Sequence, residues 1–230
     1  MNFVFEPIGF IHSPFKQKFG IPRQPGLVPE VKARLDLIAP YNNPDAVAGL
    51  AGYSHIWLQF VFHQALGAGW QAKVRPPRLG GNRRVGVFAS RAPFRPNPIG
   101  LSVVALDQVL LDGADVALEL SGVDLLDGTP VLDIKPYVPY VDSIQDASSG
   151  FAPAPPQALL AVRFSEQAER QLQEREDGGE LRLLITRLLE LDPRPAYAQE
   201  DGRVYAFRLY DFDLRWQMDG AEILVLELAD

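Results

Sequence analysis

The 230-residue chain has no cysteine and only three histidines. The first absence excludes thiol catalysis, thiolate metal sites and a disulfide framework, and it suits a reducing compartment. With His12, His55 and His63 as the only histidines, no ligand spacing fits zinc, so no metal is expected. No apolar run reaches the length needed to span a bilayer. The start, Met1-Asn2-Phe3-Val4-Phe5-Glu6, lacks the basic region of a signal peptide. A cytoplasmic protein without a membrane partner is expected. Also missing are a G-x-S-x-G elbow and a Walker loop, and Arg78-Leu79-Gly80-Gly81-Asn82 is no G-x-G-x-x-G turn after a strand. A Rossmann nucleotide site is thereby disfavoured, and with it the commonest dehydrogenase and methyltransferase folds.

Acidic residues are missing from one long stretch. Between Ala46 and Leu106 there is no Asp or Glu, whereas Lys73, Arg75, Arg78, Arg83, Arg84, Arg91 and Arg95 all lie there. The window carries +7 in a chain of net charge −7, so the remainder carries −14. Such asymmetry points to a basic surface for a phosphate-bearing partner. A solvated face paired with acidic residues elsewhere in the fold is the plain alternative.

What is present is mostly strand signal. Phe3-Val4-Phe5 leads into Ile8 to Ile11, Arg34 to Ile38 alternates, and His55 to Phe62 is aromatic and β-branched as a central strand should be. Arg84 to Phe88, Leu101 to Leu106, Val116 to Leu120 and Val131 to Ile134 continue the series, with Asp112-Gly113 and Asp127-Gly128 read as hairpin turns. Asp45 to Ala51 reads as a short helix started by Asn43 or Pro44. Many short strands punctuated by Gly and Pro suggest a barrel or a sandwich. After a Pro-, Ser- and Ala-rich stretch the period changes. Helices are predicted over Glu166 to Glu176, behind Ser165, and over Leu181 to Leu191, with strands at Arg203 to Tyr210, Asp213 to Gln217 and Ile223 to Leu228. The expectation is a mainly β protein: a first domain over residues 1–146, a linker over 147–160, and a small α+β domain over 161–230.

One segment resists explanation by packing alone. Ser90-Arg91-Ala92-Pro93-Phe94-Arg95-Pro96-Asn97-Pro98 runs straight into the apolar strand at Leu101. Its prolines fix φ and push Arg95 and Asn97 towards extended backbone, giving a stiff support for two guanidiniums and an amide. Pre-organised polar groups of this kind are what a binding site needs. Four more clusters carry polar groups on rigid or strand-end positions: Pro22-Arg23-Gln24-Pro25-Gly26, His63-Gln64, Leu125-Leu126-Asp127-Gly128-Thr129-Pro130, and Asp192-Pro193-Arg194-Pro195-Ala196-Tyr197. Each also has a plain reading: a satisfied strand-end histidine, a hairpin, a surface loop, a helix stop.

These motifs, together with Val74 to Asn82 and Asp133-Ile134-Lys135-Pro136-Tyr137, closely resemble the TrmO family of S-adenosylmethionine-dependent tRNA methyltransferases across essentially the whole chain. The resemblance implies an N-terminal β-barrel catalytic domain, a homodimer, and methylation of N6 of threonylcarbamoyladenosine beside the anticodon of threonine tRNA. It implies cofactor binding by Gln24, Pro25, Gly26, His63, Gln64, Arg91, Leu101, Leu125, Leu126, Asp127 and Gly128. Arg95 and Asn97 become the expected catalytic residues, holding the substrate nucleotide or its threonyl carboxylate. Lys73, Arg75, Arg78, Arg83, Arg84, Arg194 and Tyr197 become the expected tRNA contacts. A general base is required, with His63, Asp133 and Asp142 as candidates. Two alternatives stand beside this reading: a cofactor-binding regulator or RNA-binding protein without turnover, and an N6-methyltransferase of another RNA adenosine.

Overall fold

A computed structural model describes residues 3–80, 82–113, 115–156, 160–194 and 202–230. The N-terminal part forms β1 (Gly9–His12), β2 (Lys32–Leu37), β3 (His55–Val61), the two-residue strands β4 (Lys73–Val74) and β5 (Val85–Gly86), then β6 (Ile99–Asp112), β7 (Asp115–Ser121) and β8 (Pro130–Pro136). All except β4 and β5 close a barrel in the order β1-β2-β7-β6-β3-β8. The alternation seen in the sequence decides which side chains enter it. On β3, Ile56, Leu58 and Phe60 point inward and are 0–4% exposed, while His55, Trp57 and Gln59 face out. Ile11, Leu35, Val104, Leu118, Leu120 and Val131 fill the same interior. Each such side chain contributes roughly 1.5–3 kcal/mol by leaving water.

Topology decides where function can sit. Every neighbouring pair in the barrel is antiparallel. The ends of β1, β3 and β7 therefore share one rim with the starts of β2, β6 and β8. The connections over residues 13–31, 62–98 and 122–129 all gather at that rim, the mouth. The far rim is closed by residues 38–54, the Asp112-Gly113 turn and the chain after β8.

Several sequence expectations need correction. Phe3 to Phe5 forms no strand; the three side chains are exposed. Asp112-Gly113 does turn a hairpin, but Asp127-Gly128 does not, because β7 and β8 are not neighbours. It belongs to a crossover between two strands that lie apart in the barrel. The run Arg84 to Phe88 is strand only at β5, then a 3-10 turn at Val87–Ala89. The expected helix at Asp45 to Ala51 is two 3-10 turns, Pro44–Val47 and Leu50–Gly52, separated by Gly49 at φ 83°. A left-handed residue ends any helix there. A short helix, α1 (Pro139–Asp142), follows β8.

The C-terminal part contains β9 (Ala161–Phe164), α2 (Glu166–Gln173), α3 (Gly178–Glu190), β10 (Val204–Leu209), β11 (Phe212–Asp219) and β12 (Glu222–Ala229). The sheet order is β10-β11-β12-β9, with β9 parallel to β12. Ser165 caps α2, its side chain accepting from the Ala168 N–H at 3.0 Å. The apolar stripe of α3, Leu181, Leu184, Ile185, Leu188 and Leu189, is buried against this sheet and α2. No helix among the described residues is long and apolar enough to cross a membrane.

Among the described residues, the C-terminal part docks on the barrel through the connection over residues 13–31. Phe15 forms an isolated β-bridge with Leu209, and Tyr210 N–H donates to the Pro14 carbonyl at 2.8 Å. Phe19 packs edge-on to Phe207 at 5.8 Å, and Arg187 pairs with Glu30 at 3.4 Å. The Arg23 guanidinium donates to the carbonyls of Asp192 and Arg194.

Candidate active site

The mouth is assembled by backbone clamps between its connections. Gly26 N–H donates to the Gly122 carbonyl at 2.8 Å, and Gly122 N–H donates to Val31 at 2.9 Å. Both positions favour glycine through left-handed backbone, φ 74° at Gly26 and 69° at Gly122, and at Gly122 a Cβ would also sit 3.2 Å from the Gly26 Cα. The clamp places Gln24-Pro25-Gly26 beside the crossover after β7. That crossover is pinned in turn to the end of β1. Asp127 N–H donates to Phe15 (2.9 Å) and Gly128 N–H to Ile11 (2.7 Å). The Asp127 carboxylate accepts from Ser13 N–H at 3.0 Å and pairs with Lys16 at 2.8 Å. Leu125 and Leu126 are buried, and Ser13 Oγ donates to the Leu125 carbonyl at 2.7 Å. The Leu125-to-Gly128 turn is thus a rigid wall whose N–H donors at Asp127 and Gly128 are already committed.

The 62–98 connection supplies the opposite side. It starts and ends together, with Phe62 N–H donating to Pro98 at 2.8 Å, and His63 and Gln64 open a 3-10 turn just past β3. On the return leg Arg91 donates to Gln24 Oε1 at 2.7 Å, joining two expected cofactor residues from different connections. Arg95 lies differently. Its Nη1 donates to the carbonyls of Val87 (3.1 Å) and Ser90 (2.8 Å), and its guanidinium stacks over Phe88 at 5.5 Å. It braces the proline-rich segment from within, while Asn97 is exposed.

β6 enters the mouth with one edge open. It pairs with β3 from Ile99 onward, but with β7 only from Ala105. Between those points its backbone has no strand on the β7 side, and this stretch includes Leu101, itself half exposed. Next to the open edge lies a residue that sequence reading missed. Asp124 Oδ1 accepts from Ser102 Oγ at 2.8 Å. Burial pushes the Asp124 carboxyl up to about 6, against the opposing effects of the Ser102 hydrogen bond and the Arg91 charge. The available signal was an acid inside the apolar run Val123-Asp124-Leu125-Leu126.

The candidate bases separate in space. His63 is at the mouth. Asp133 pairs with Lys135 on the outer wall at 2.7 Å. Asp142, on the short helix after β8, folds back onto the outer wall, accepting from Trp57 Nε1 (3.1 Å) and Val138 N–H (2.8 Å). It belongs instead to an open groove of about 450 Å³ on the outer wall, lined in part by Trp57, Gln59, Leu101 and Tyr140.

The basic residues form an arm. Lys73, Arg75, Arg78, Arg83 and Arg84 are exposed on or beside the β4–β5 pair, which projects from the 62–98 connection. Arg78 is tied to the Ala154 carbonyl. Arg194 pairs with Asp192 at 2.7 Å, close to Arg23 at the mouth. Tyr197 lies outside the described residues.

Comparison with known proteins gives a consistent picture. Residues 10–143 match the tRNA-methyltransferase O N-terminal domain and residues 157–230 the TrmO C-terminal domain. A tRNA (adenine(37)-N6)-methyltransferase of Escherichia coli K12 is 52% identical over 98% of both chains. A putative S-adenosylmethionine-dependent methyltransferase, RcsF, of Pseudomonas aeruginosa is 51% identical over 100% of this chain and 99% of its own. A crystal structure of TrmO from Pseudomonas aeruginosa superposes with a TM-score of 0.81 at 45% identity, covering 100% of this chain and 99% of that one.

Proposed function

The chain belongs to the TrmO family, and from that premise we propose how its mouth works as the active site of an S-adenosylmethionine-dependent tRNA (adenine-N6)-methyltransferase. One observation carries the reading. Three separate connections, 13–31, 62–98 and 122–129, bring Gln24 to Gly26, His63-Gln64, Arg91 and Leu125 to Gly128 to one rim, beside Leu101 on β6 and at the root of a basic arm.

The residues present fit the cofactor. Arg91 is exposed and held by Gln24, suited to a carboxylate. The open edge of β6 at Leu101 offers backbone groups to an adenine edge, and Leu101 supplies apolar contact. When bound, S-adenosylmethionine supplies an electrophilic methyl group on sulfur. The chain's own part is then mostly positioning. The clamp of Gly26 on Gly122 fixes the cofactor loop, and the Arg95 brace fixes the segment that presents Asn97. Arg95 acts on the substrate side by shaping this loop. The exposed cations at 73, 75, 78, 83 and 84 hold tRNA phosphates, and Arg194 and Tyr197 extend the contact from the C-terminal side.

We assign the substrate as the threonylcarbamoyl-modified adenosine of threonine tRNA. We place the domains at residues 1–146 and 161–230, with the linker over 147–160, and the protein in the cytoplasm. Two copies are proposed to meet through the apolar outer wall, where Ile99, Leu101, Tyr140, Val141 and Ile144 are exposed; light scattering reads this directly.

The test is transfer of label from S-adenosylmethionine to threonine tRNA with or without the threonylcarbamoyl group. Label is expected only in the modified tRNA. Label in both tRNAs would replace the substrate with a plain adenosine. Cofactor binding without transfer would favour a regulator.

A further inference from the structure

We propose that the Asp124 carboxylate takes up the proton that N6 of the substrate loses as it is methylated, an inference that rests on the methyltransferase reading above. The methylated nitrogen begins with one hydrogen and must end without it. Its electron pair forms the new N–CH3 bond, the S–CH3 bond breaks with its pair returning to sulfur, and the N–H proton passes to a carboxylate oxygen of Asp124. The neutral carboxyl then returns that proton to water.

Three observations single out Asp124. It stands at the mouth, between Gly122, which clamps the Gln24 loop, and the Leu125-to-Gly128 turn. It is aimed by a fixed partner, since Ser102 is 2% exposed and donates to Oδ1 at 2.8 Å, leaving the second oxygen free of that bond. The other candidate carboxylates are already engaged: Asp127 by Lys16 and Ser13, Asp133 by Lys135, and Asp142, on the outer wall, by Trp57 and Val138. The groups that face Asp124 are Ser102 from β6 and Arg91 from the 62–98 connection, with Gln24 held against Arg91; the Lys16–Asp127 pair lies farther along the same turn. A carboxyl with a raised affinity for protons, yet ionised at neutral pH, is matched to this task.

The test compares wild type with Asp124→Asn, Asp124→Glu and Ser102→Ala. Asparagine keeps an oxygen to accept from Ser102, so fold and cofactor affinity are expected to persist. Turnover at saturating cofactor should fall by about 100-fold or more, with partial recovery in Asp124→Glu. Wild type should show an acid limb in the kcat profile at about pH 6. The same titration should appear in the carboxyl NMR spectrum of the cofactor-free protein and vanish in Asp124→Asn. Removing the Ser102 hydroxyl should move the limb to higher pH, because the hydrogen bond that favours the carboxylate is gone, and a merely structural role would not move it. Near-normal turnover in Asp124→Asn overturns the proposal, as does weakened cofactor binding with unchanged saturated turnover. If wild type itself transfers no label, the methyltransferase reading fails and the proposal falls with it; transfer by both proteins sinks this proposal alone.

Discussion

The two rims of the barrel are built from the same six strands and differ in almost everything else. At the far rim, the turns are closed largely by their own residues. Asn43 caps the first 3-10 turn, and Asp112-Gly113 reverses the chain at once. At the mouth, connections satisfy one another: Gly26 bonds Gly122, Asp127 bonds Phe15, and Arg91 bonds Gln24. The far rim closes the barrel, whereas the mouth forms a surface that no single connection specifies. Function follows the second arrangement, because a site requires groups from distant parts of the chain held in fixed relation.

The sharpest way to break the comparison is Arg91→Ala. Loss of a charge-assisted hydrogen bond is worth about 1.5–3 kcal/mol, so cofactor affinity should fall about 10- to 150-fold. The melting temperature should barely move, because Arg91 is exposed. Calorimetric titration and thermal melting give the two numbers. A large drop in stability would mean that the mouth is architecture like the far rim. Next in size is the basic arm. Replacing Lys73, Arg75, Arg83 and Arg84 together should weaken tRNA binding and flatten its salt dependence by about one unit of slope for each phosphate no longer neutralised. Cofactor binding should stay unchanged.

Gly122→Ala perturbs the clamp itself. The left-handed backbone and the 3.2 Å approach to Gly26 both oppose a side chain. A cost of about 1–3 kcal/mol is expected, or roughly 2–4 °C per kcal/mol in a chain of this size, together with weaker cofactor binding. Asp124 makes the mouth sensitive to pH. Its folded value, about 6, lies above the ordinary 3.8, so the folded state binds the proton more tightly than the unfolded chain. Stability from this group is complete below about pH 4 and is lost as pH rises through about 6. Thermal melts of Asp124→Asn should lack that decline.

Sequence periodicity anticipated the strands because alternation is local and the barrel interior rewards it. The caps at Asn43 and Ser165 were equally legible. Asp127-Gly128 was misread because a dipeptide reports a turn and not which strands it joins; β7 and β8 lie apart in the barrel. β9 escaped notice because four residues, alternately exposed and half-buried, become a strand only by lying beside β12. Motifs marked Gln24, His63 and Arg91, but the open edge of β6 follows from where β7 departs. That Arg95 Nη1 would donate to the Val87 and Ser90 carbonyls had no local signal in the sequence. Asp124 depends on Ser102 in another strand, a pairing with no signature along the chain.

The smallest expected effect tests the far rim. Asn43 accepts from Asp45 N–H at 3.0 Å through its side chain, and Asn43→Ala removes that cap. The loss should be about 1 kcal/mol, read as a shift of a few degrees in the melt. Methyl transfer per folded molecule, cofactor affinity and tRNA affinity should match wild type. The reason is structural: the turn it caps is bonded within residues 43–48 and donates nothing to the mouth. A change in transfer without loss of folded protein would show that the rims communicate through the barrel, and the division of labour between them would have to be abandoned.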